Sequence, residues 1–294
     1  MEFKIPVTQL IRQRRSVRNY SPDGMEPDME RQVREVLDLH TEGPMGNRVA
    51  FHLVHRKSAI AGQKVKLGTY GFIKGAQHFV AGEVKIGTFT ELDFGYLLEK
   101  IMLYLVDMGL GTCWLGGTFK RSELADILNT SEDVVIPAIT PVGYPAPSMS
   151  RRELLIRKGA KSDQRKPWNE LFFDGEFGKP LQHMDNEGSL LPLEMVRLAP
   201  SASNKQPWRV VRSENNFHFY LNRTPGYGGF APNVDIQHID MGIAMAHFEL
   251  SSWELGIEGS WKIMDHGKVV KKGTEYIVSW QTNDDCVSNL SPSG

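Results

Sequence analysis

The pattern of hydrophobic and polar residues alternates along the chain between the period of a helix and the period of a strand. Apolar residues recur at helical spacing around 8–13 and 27–39, and short apolar runs at 51–55 and 78–81 predict strands. From 94–108 apolar residues fall on nearly every side of the expected helix, which indicates a helix buried on most faces. Because helix and strand patterns follow one another without a long polar linker, the sequence predicts one α+β core.

The second half of the chain resembles the first half in the order of its motifs. Three segments recur in the same order, namely 47–54 with 204–211, 93–95 with 240–242, and Trp114 with Trp261. We therefore expect an internal duplication, with a first half of residues 1–180 and a shorter second half of residues 185–294 that share one core.

Charge and cysteine content narrow the classes of partner. The 294 residues carry 34 lysine and arginine against 35 aspartate and glutamate residues, so no net field favours nucleic acid or an anionic membrane. Cys113 and Cys286 are too few for a disulfide framework or a zinc site, and Cys113 lies in an apolar stretch that we expect to be core. Since no apolar segment is long enough to span a bilayer, we expect a cytoplasmic protein that binds neither nucleic acid nor membrane.

A cluster of cations follows the first predicted helix. Arg14, Arg15 and Arg18 place three guanidinium groups and the Ser16 hydroxyl within five residues. Such a cluster can bind a phosphate dianion through bidentate contacts. Cations at a helix C-terminus also simply complement the helix macrodipole, and the spacing alone favours that simpler interpretation.

A polar loop in the second half carries the other candidate chemistry. Residues 198–208 leave a helix, pass through proline, serine and asparagine, and enter a strand at Trp208. The short amide and hydroxyl side chains could hydrogen-bond to the edge of a planar heteroaromatic ring. The same composition also suits an ordinary turn whose side chains bond to their own backbone.

Together these motifs resemble those of the FMN-dependent nitroreductase family. That family has an R-R-S-x-R-x-F/Y segment after its first helix, here residues 14–20, and an A-P-S-x-x-N-x-Q-P-W segment, here residues 199–208. Its G-L-G-T-C-W-I-G segment is matched by 109–116, and its G-Y-P and R-x-P segments are matched by 143–145 and 165–167. The resemblance extends over most of the chain, with fewer motifs in the second half.

The resemblance implies one flavin site shared between the two halves. Family members are homodimers that bind the flavin phosphate on the arginine motif of one subunit and the ring on the P-S-x-x-N loop of the other. Here the two motifs lie in different halves, so the chain resembles such a dimer fused into one polypeptide. The resemblance implies an α+β fold with a central mixed or antiparallel sheet and helices on both faces, in which the two halves form a pseudo-dimer. We expect a monomer, and higher oligomers stay open. The reciprocal site lacks an arginine cluster in the second half and has only a poor ring loop, 43–47, in the first half.

The same resemblance assigns the residues that would bind FMN. The arginine motif would hold the phosphate with a further charge from Arg165, the loop of the second half would contact the ring, and backbone groups after Trp114 would approach the ring or the ribityl chain. Without the other motifs, that last segment would be an ordinary helix-ending turn. The implied FMN-binding residues are Arg14, Arg15, Ser16, Arg18, Leu115, Gly116, Gly117, Arg165, Pro200, Ser201, Ala202 and Asn204.

The implied function is electron transfer from NADH or NADPH, through non-covalently bound FMN, to a nitroaromatic, a quinone or another electron-poor small molecule. The cofactor carries this chemistry, so no side chain needs to act as an acid or a base, and no metal is expected. Two alternatives stay open: a flavin-binding sensor or carrier without turnover, and another flavin reaction on the same fold. The loops at 58–75 and 224–234 are expected to set the choice of substrate.

Overall fold

A computed structural model gives the architecture of the protein. It describes residues 2–57, 59–60, 63–64, 69, 71–148, 159, 164–182, 190–227, 233–264 and 273–283. Large parts of the expected substrate loops at 58–75 and 224–234 lie outside the described residues, and so does Cys286.

The first half alternates helices with short strands. Pro27 starts the second helix at a position where its missing N–H costs nothing, and Asn129 ends the fourth in a left-handed conformation. The elements are α1 (Val7–Gln13), α2 (Pro27–Leu39), β1 (Val49–His55), β2 (Ala59–Ile60), β3 (Gln63–Lys64), β4 (His78–Lys85), α3 (Thr90–Asp107), α4 (Arg121–Leu128), β5 (Val134–Val135), β6 (Ile139–Val142), α5 (Trp168–Leu171) and β7 (Phe172–Asp174).

The second half has the same order of a helix, a polar loop, two antiparallel strands and a long buried helix as residues 27–107 of the first half. Asp235 caps the long helix by accepting a hydrogen bond from the backbone N–H of Gln237, at 3.0 Å. The elements are α6 (Leu191–Leu198), a 3₁₀ turn (Ala202–Asn204), β8 (Trp208–Ser213), β9 (Asn216–Asn222), α7 (Ile236–Glu254), β10 (Gly259–Lys262) and β11 (Thr274–Thr282).

The sheet of the first half is antiparallel and has β4 in its interior. β1 pairs with one edge of β4, while β5 and β6 pair with the other edge. Residues 111–115 form isolated bridges, which place this segment beside β6 on one side and beside the arginine motif on the other. These bridges are Gly111 with Gly143, Leu115 with Ile139, and Ser16 with Thr112.

The sheet of the second half is mixed and takes one strand from the first half. Its order is β10-β11-β9-β8-β7, and every pair is antiparallel except β7 with β8. In that parallel pair, Phe172 lies opposite Val210 and Phe173 opposite Val211. Phe172 is fully buried, so the end of the first half contributes to the core of the second.

Helices α3 and α7 pack against each other, and two glycines permit their close approach. A Cβ atom on Gly95 would lie closer than 3.0 Å to the Ile239 backbone, and one on Gly242 closer than 3.0 Å to the Leu92 backbone. Gly95 and Gly242 are 147 residues apart, as are Leu92 and Ile239. The contact is therefore reciprocal, as it is at a two-fold axis. This is the geometry expected of duplicated halves, and the duplication itself stays a prediction.

The main elements match the sequence-based expectations in type. The α+β class is confirmed, and the helix predicted at 94–108 is α3, which is buried on most faces and begins earlier, at Thr90. The expected central sheet is divided between the two sheets described above. Cys113 is buried in an apolar cluster, as predicted.

We expect Gly242→Ala to destabilise the protein by about 1–3 kcal/mol, because the added methyl group overlaps the backbone of α3. Alanine is otherwise favoured over glycine inside a helix by about 0.5–1 kcal/mol, so a loss would run against intrinsic propensity. The free energy of unfolding from urea denaturation measures the effect. Gly24→Ala is the control, because no heavy atom of the described residues lies within 4 Å of its added Cβ. Equal stability of the two variants would show that the helices are not held at this separation.

Candidate functional site

The arginine motif is held in place by its backbone. Arg14 follows the last residue of α1, and beyond it Val17 donates a backbone hydrogen bond to the Thr112 carbonyl at 2.8 Å. On the other side of the motif, Lys74 N donates to the Arg18 carbonyl at 2.9 Å. Because these contacts come from two separate segments, the side chains between them project from a fixed backbone.

The polar loop of the second half is held by a buried carboxylate and by its own side chains. Asp240 of α7 accepts a hydrogen bond from Ala202 N at 2.9 Å, and Ser201 Oγ accepts one from Gln206 N at 2.8 Å. Three non-glycine residues of the loop have left-handed backbone angles, and these are Ser203, Asn204 and Gln206. Such angles are uncommon outside glycine and cluster at ligand sites, so they mark this loop for attention.

Both motifs line one cavity. Its volume is about 840 Å³, within the range of roughly 300–1,000 Å³ that small-molecule sites occupy. All twelve residues singled out from the sequence lie in its wall: Arg14, Arg15, Ser16, Arg18, Leu115, Gly116, Gly117, Arg165, Pro200, Ser201, Ala202 and Asn204. The cavity thus brings together residues from both halves of the chain. Its occupation by FMN stays a prediction.

Arg165 contacts the loop of the second half. Its Nη2 donates to the Leu198 carbonyl at 3.0 Å, and its Nη1 lies 3.5 Å from Asn204 Oδ1. The sequence-based expectation was a charge at the phosphate end. The observed contacts show that the guanidinium hydrogen-bonds to the loop and helps to hold it. Arg165 also lines the same cavity as the arginine motif.

Further lining residues were not singled out from the sequence. Ile236, Ile239 and Ile243 form an apolar wall from α7. Phe72 of the first half and Tyr227 of the second each contribute an aromatic ring, in addition to Trp114. The isoleucines could have been found from their helical spacing of three and four residues. The two aromatic residues lie in irregular segments, where no periodic pattern indicates which way a side chain points.

Arg14 provides a test of whether the cavity suits an anion. Its side chain is only 6% exposed, and its Nε lies 3.6 Å from Glu99 Oε1. Neither Nε nor Nη1 has a hydrogen-bond partner within the described parts of the chain. A buried guanidinium with unmatched donors is costly unless a ligand completes its contacts. The site therefore suits a ligand that brings an acceptor such as a phosphate oxygen.

Glu99 lies behind Arg14 and is fully buried. Burial alone would raise the pKa of its carboxyl group, but the hydrogen bond with His247 and the charge of Arg14 outweigh it and lower that pKa. Trp114 Nε1 donates to the second carboxylate oxygen at 2.6 Å. Glu99 is therefore ionised at neutral pH and acts as a counter-ion for the guanidinium of Arg14.

The pKa of Asp240 shifts in the opposite direction. Burial raises the pKa of the carboxyl group well above its ordinary value, while the hydrogen bond from Ala202 N opposes this shift and the charge of Asp235 adds to it. Asp240 is the one carboxyl residue in the cavity wall among the described residues. Its raised pKa disfavours a negative charge that would compete with a bound anion for the arginines of the wall.

Comparison with known proteins identifies the family. The family model described as "Putative TM nitroreductase" matches residues 6–252, so the chain belongs to this nitroreductase family. Its members are oxidoreductases, and this is the class to which the chain is assigned. A comparison with curated proteins gives no match.

Solved structures agree with this assignment at the level of the fold. A nitroreductase family protein from Thermotoga maritima is 18% identical, with 96% of this chain and 95% of its own covered and a TM-score of 0.58. A nitroreductase family protein from Clostridium novyi is 15% identical, and the alignment covers 62% of this chain and 97% of that protein, with a TM-score of 0.38. An FMN-dependent nitroreductase from Clostridium difficile is also 15% identical, with 48% and 88% covered and a TM-score of 0.37. The first similarity shows a shared fold, whereas the other two scores are too low to show one.

The described helices also bear on the membrane question. Within the described ranges, no helix combines the length and the apolar character needed to cross a bilayer.

We expect Asp240→Asn to remove a pH-dependent cost of folding. A carboxyl group whose pKa is raised in the folded state ionises more easily in the unfolded state, so its ionisation favours unfolding. The free energy of unfolding of the wild type should therefore fall as the pH rises above 3.8, the ordinary pKa of the group in the unfolded chain. Asparagine keeps the shape and does not titrate. The free energy of unfolding of flavin-free Asp240→Asn, relative to that of the flavin-free wild type, should therefore be higher at pH 8 than at pH 4. A difference that is constant with pH, or reversed, would contradict the raised pKa.

Proposed function

We propose that the protein is an FMN-dependent oxidoreductase that passes electrons from NADH or NADPH to an electron-poor small molecule such as a nitroaromatic or a quinone. The observation that carries the proposal is the single cavity whose wall contains both the arginine motif of the first half and the polar loop of the second half. Membership of the nitroreductase family supports the reaction class. The choice of donor and acceptor is the proposed part.

Within this proposal, the phosphate of FMN binds at the first-half end of the cavity. Arg14 offers buried donors without hydrogen-bond partners in the described structure, and Arg18 and Ser16 add a cation and a hydroxyl from the same short segment. Arg15 also lines the cavity but is exposed, so its contribution would be the weaker one. Charge-assisted bonds to phosphate are roughly twice as strong as neutral ones, which makes this end the anchor.

The isoalloxazine ring is assigned to the other end. Pro200, Ser201, Ala202 and Asn204 would border it from the second half, and the backbone at 115–117 would approach it from the first half. When bound, FMN would supply the hydride and electron-transfer chemistry. The isoleucines of α7 would exclude water beside the ring, and Asp240 would fix the loop through Ala202 N. No side chain is assigned a role as an acid or a base.

The proposal includes a single site in a fused pseudo-dimer. The reciprocal contact between α3 and α7 supports two halves that are related to each other like the subunits of a dimer. Strand β7 of the first half also joins the sheet of the second half, which links the two halves further. In the first half, the loop that corresponds to the ring loop is also bonded to the long helix, because Met45 N and Asn47 N both donate to Asp93 of α3 at 2.9 Å. The second half has no arginine cluster that could serve this loop. The chain would thus act as a monomer with one FMN.

We expect Arg18→Ala to weaken FMN binding by about 1.5–3 kcal/mol, the typical value of a hydrogen bond to a charged group. Asn204→Ala should cost less, about 0.5–1.5 kcal/mol, because it removes a neutral contact. Fluorescence titration of the flavin-free protein gives both affinities. Arg48→Ala is the control, since Arg48 is exposed, pairs with Glu42 and lies outside the cavity wall. If all three variants bind FMN equally, the cavity is not the FMN site.

We expect NADH or NADPH to bleach the absorbance of the bound flavin under anaerobic conditions, and a quinone or a nitroaromatic to restore it. Donor and acceptor would use the same space beside the ring, so steady-state kinetics should show parallel double-reciprocal lines. Stopped-flow absorbance spectroscopy measures both half-reactions. Flavin that binds tightly but stays oxidised with either nicotinamide would favour the carrier over the enzyme.

A further inference from the structure

A small polar cluster is buried between the two halves, behind the arginine motif. Glu99 of α3 and His247 of α7 are both fully buried, and His247 Nε2 lies 2.9 Å from Glu99 Oε1. The other ring nitrogen of His247, Nδ1, lies 2.9 Å from the Met195 carbonyl oxygen. Arg14 Nε lies 3.6 Å from the same Glu99 Oε1. A cluster of this kind, away from water, must be matched in both charge and hydrogen bonds.

The two contacts of His247 fix its protons. A carbonyl oxygen can only accept, so Nδ1 must carry a hydrogen atom to bond with Met195. The ionised Glu99 can only accept, so Nε2 must donate the hydrogen atom of that contact. The pair is then neutral overall, and with Arg14 the cluster carries one positive charge. That excess charge lies against the cavity wall, at the end where the phosphate of FMN is proposed to bind.

We propose that Glu99 and His247 are positioning residues, which hold the Arg14 guanidinium in the orientation that binds the phosphate of FMN. This inference rests on the function proposed above. Within the described residues, Glu99 is the carboxylate that forms an ion pair with Arg14, and His247 fixes Glu99 from the opposite half of the chain. The second half would thereby control the phosphate affinity of a first-half arginine.

The second half contains a related contact at a different helix position. Trp261, which is equivalent to Trp114, donates from Nε1 to Glu249 Oε2 at 2.6 Å, just as Trp114 donates to Glu99 at 2.6 Å. Among the described residues, the other polar side chains that act on Glu249 are Tyr96 and Lys100, and none of them is an arginine. Burial raises the pKa of Glu249, whereas the pKa of Glu99 is lowered. Glu249 is therefore a matched control: a buried glutamate that bonds to a tryptophan and has no Arg14.

The sign of the effect separates positioning from simple electrostatics. Glu99→Gln removes the carboxylate behind the phosphate end, and on charge alone this change would strengthen FMN binding, or leave it unchanged if His247 loses a proton at the same time. If the role of Glu99 is to hold Arg14, the same change weakens FMN binding because the guanidinium is no longer fixed. Riboflavin lacks the phosphate, so its affinity should not change.

The test measures the dissociation constants of FMN and riboflavin for the full-length wild type, Glu99→Gln, Glu249→Gln and His247→Gln by fluorescence titration. We expect Glu99→Gln and His247→Gln to lower the preference for FMN over riboflavin about tenfold, which corresponds to about 1.4 kcal/mol. Glu249→Gln should leave the preference unchanged. Adding Glu99→Gln to Arg14→Gln should lower it no further than Arg14→Gln alone, since Glu99 acts through Arg14.

The outcomes are distinct. An unchanged or higher preference in Glu99→Gln overturns the inference and leaves the proposed FMN site intact. Equal loss of FMN and riboflavin affinity in Glu99→Gln and His247→Gln shows a general role in stability and also overturns it. If Glu99→Gln does not fold, as judged by circular dichroism, His247→Gln decides the result by the same criterion. A wild type that binds neither flavin overturns the proposed function together with the inference.

Discussion

The close approach of α3 and α7 sets the geometry on which the rest of the structure depends. Gly95 and Gly242 let each helix lie against the backbone of the other, so the two halves meet along their most buried elements. Small residues at such a crossing allow an interhelical distance that any side chain would increase. Because β7 also inserts into the sheet of the second half, neither half has a core that is complete by itself.

The cavity follows from this arrangement. α3 carries Glu99 towards the arginine motif of the first half, while α7 carries Asp240 towards the polar loop of the second. The pKa of Glu99 is lowered by His247 and the cation of Arg14, whereas the pKa of Asp240 is raised by burial, so the same helix pair provides two different electrostatic environments. This difference suits a ligand with an anionic end and a polar aromatic end.

Much of this could be predicted from the sequence, for identifiable reasons. The long buried helices gave strong periodic patterns, and all twelve residues singled out from the motifs lie in the wall of one cavity. The division into two sheets was missed, because strand pairing depends on contacts that no local pattern encodes. The cluster of Glu99 and His247 was missed for a similar reason, since the two residues are 148 positions apart in the chain. A buried polar residue in an apolar helix was the available signal.

The central claim is that one chain forms one complete flavin site from its two halves. Native mass spectrometry of the protein with excess FMN tests it most directly, because the same spectrum gives the number of chains and the number of flavins. The account predicts a species of one 33.2 kDa chain with one FMN. Two flavins on one chain, or flavin bound only by a dimer whose monomer stays empty, would contradict it.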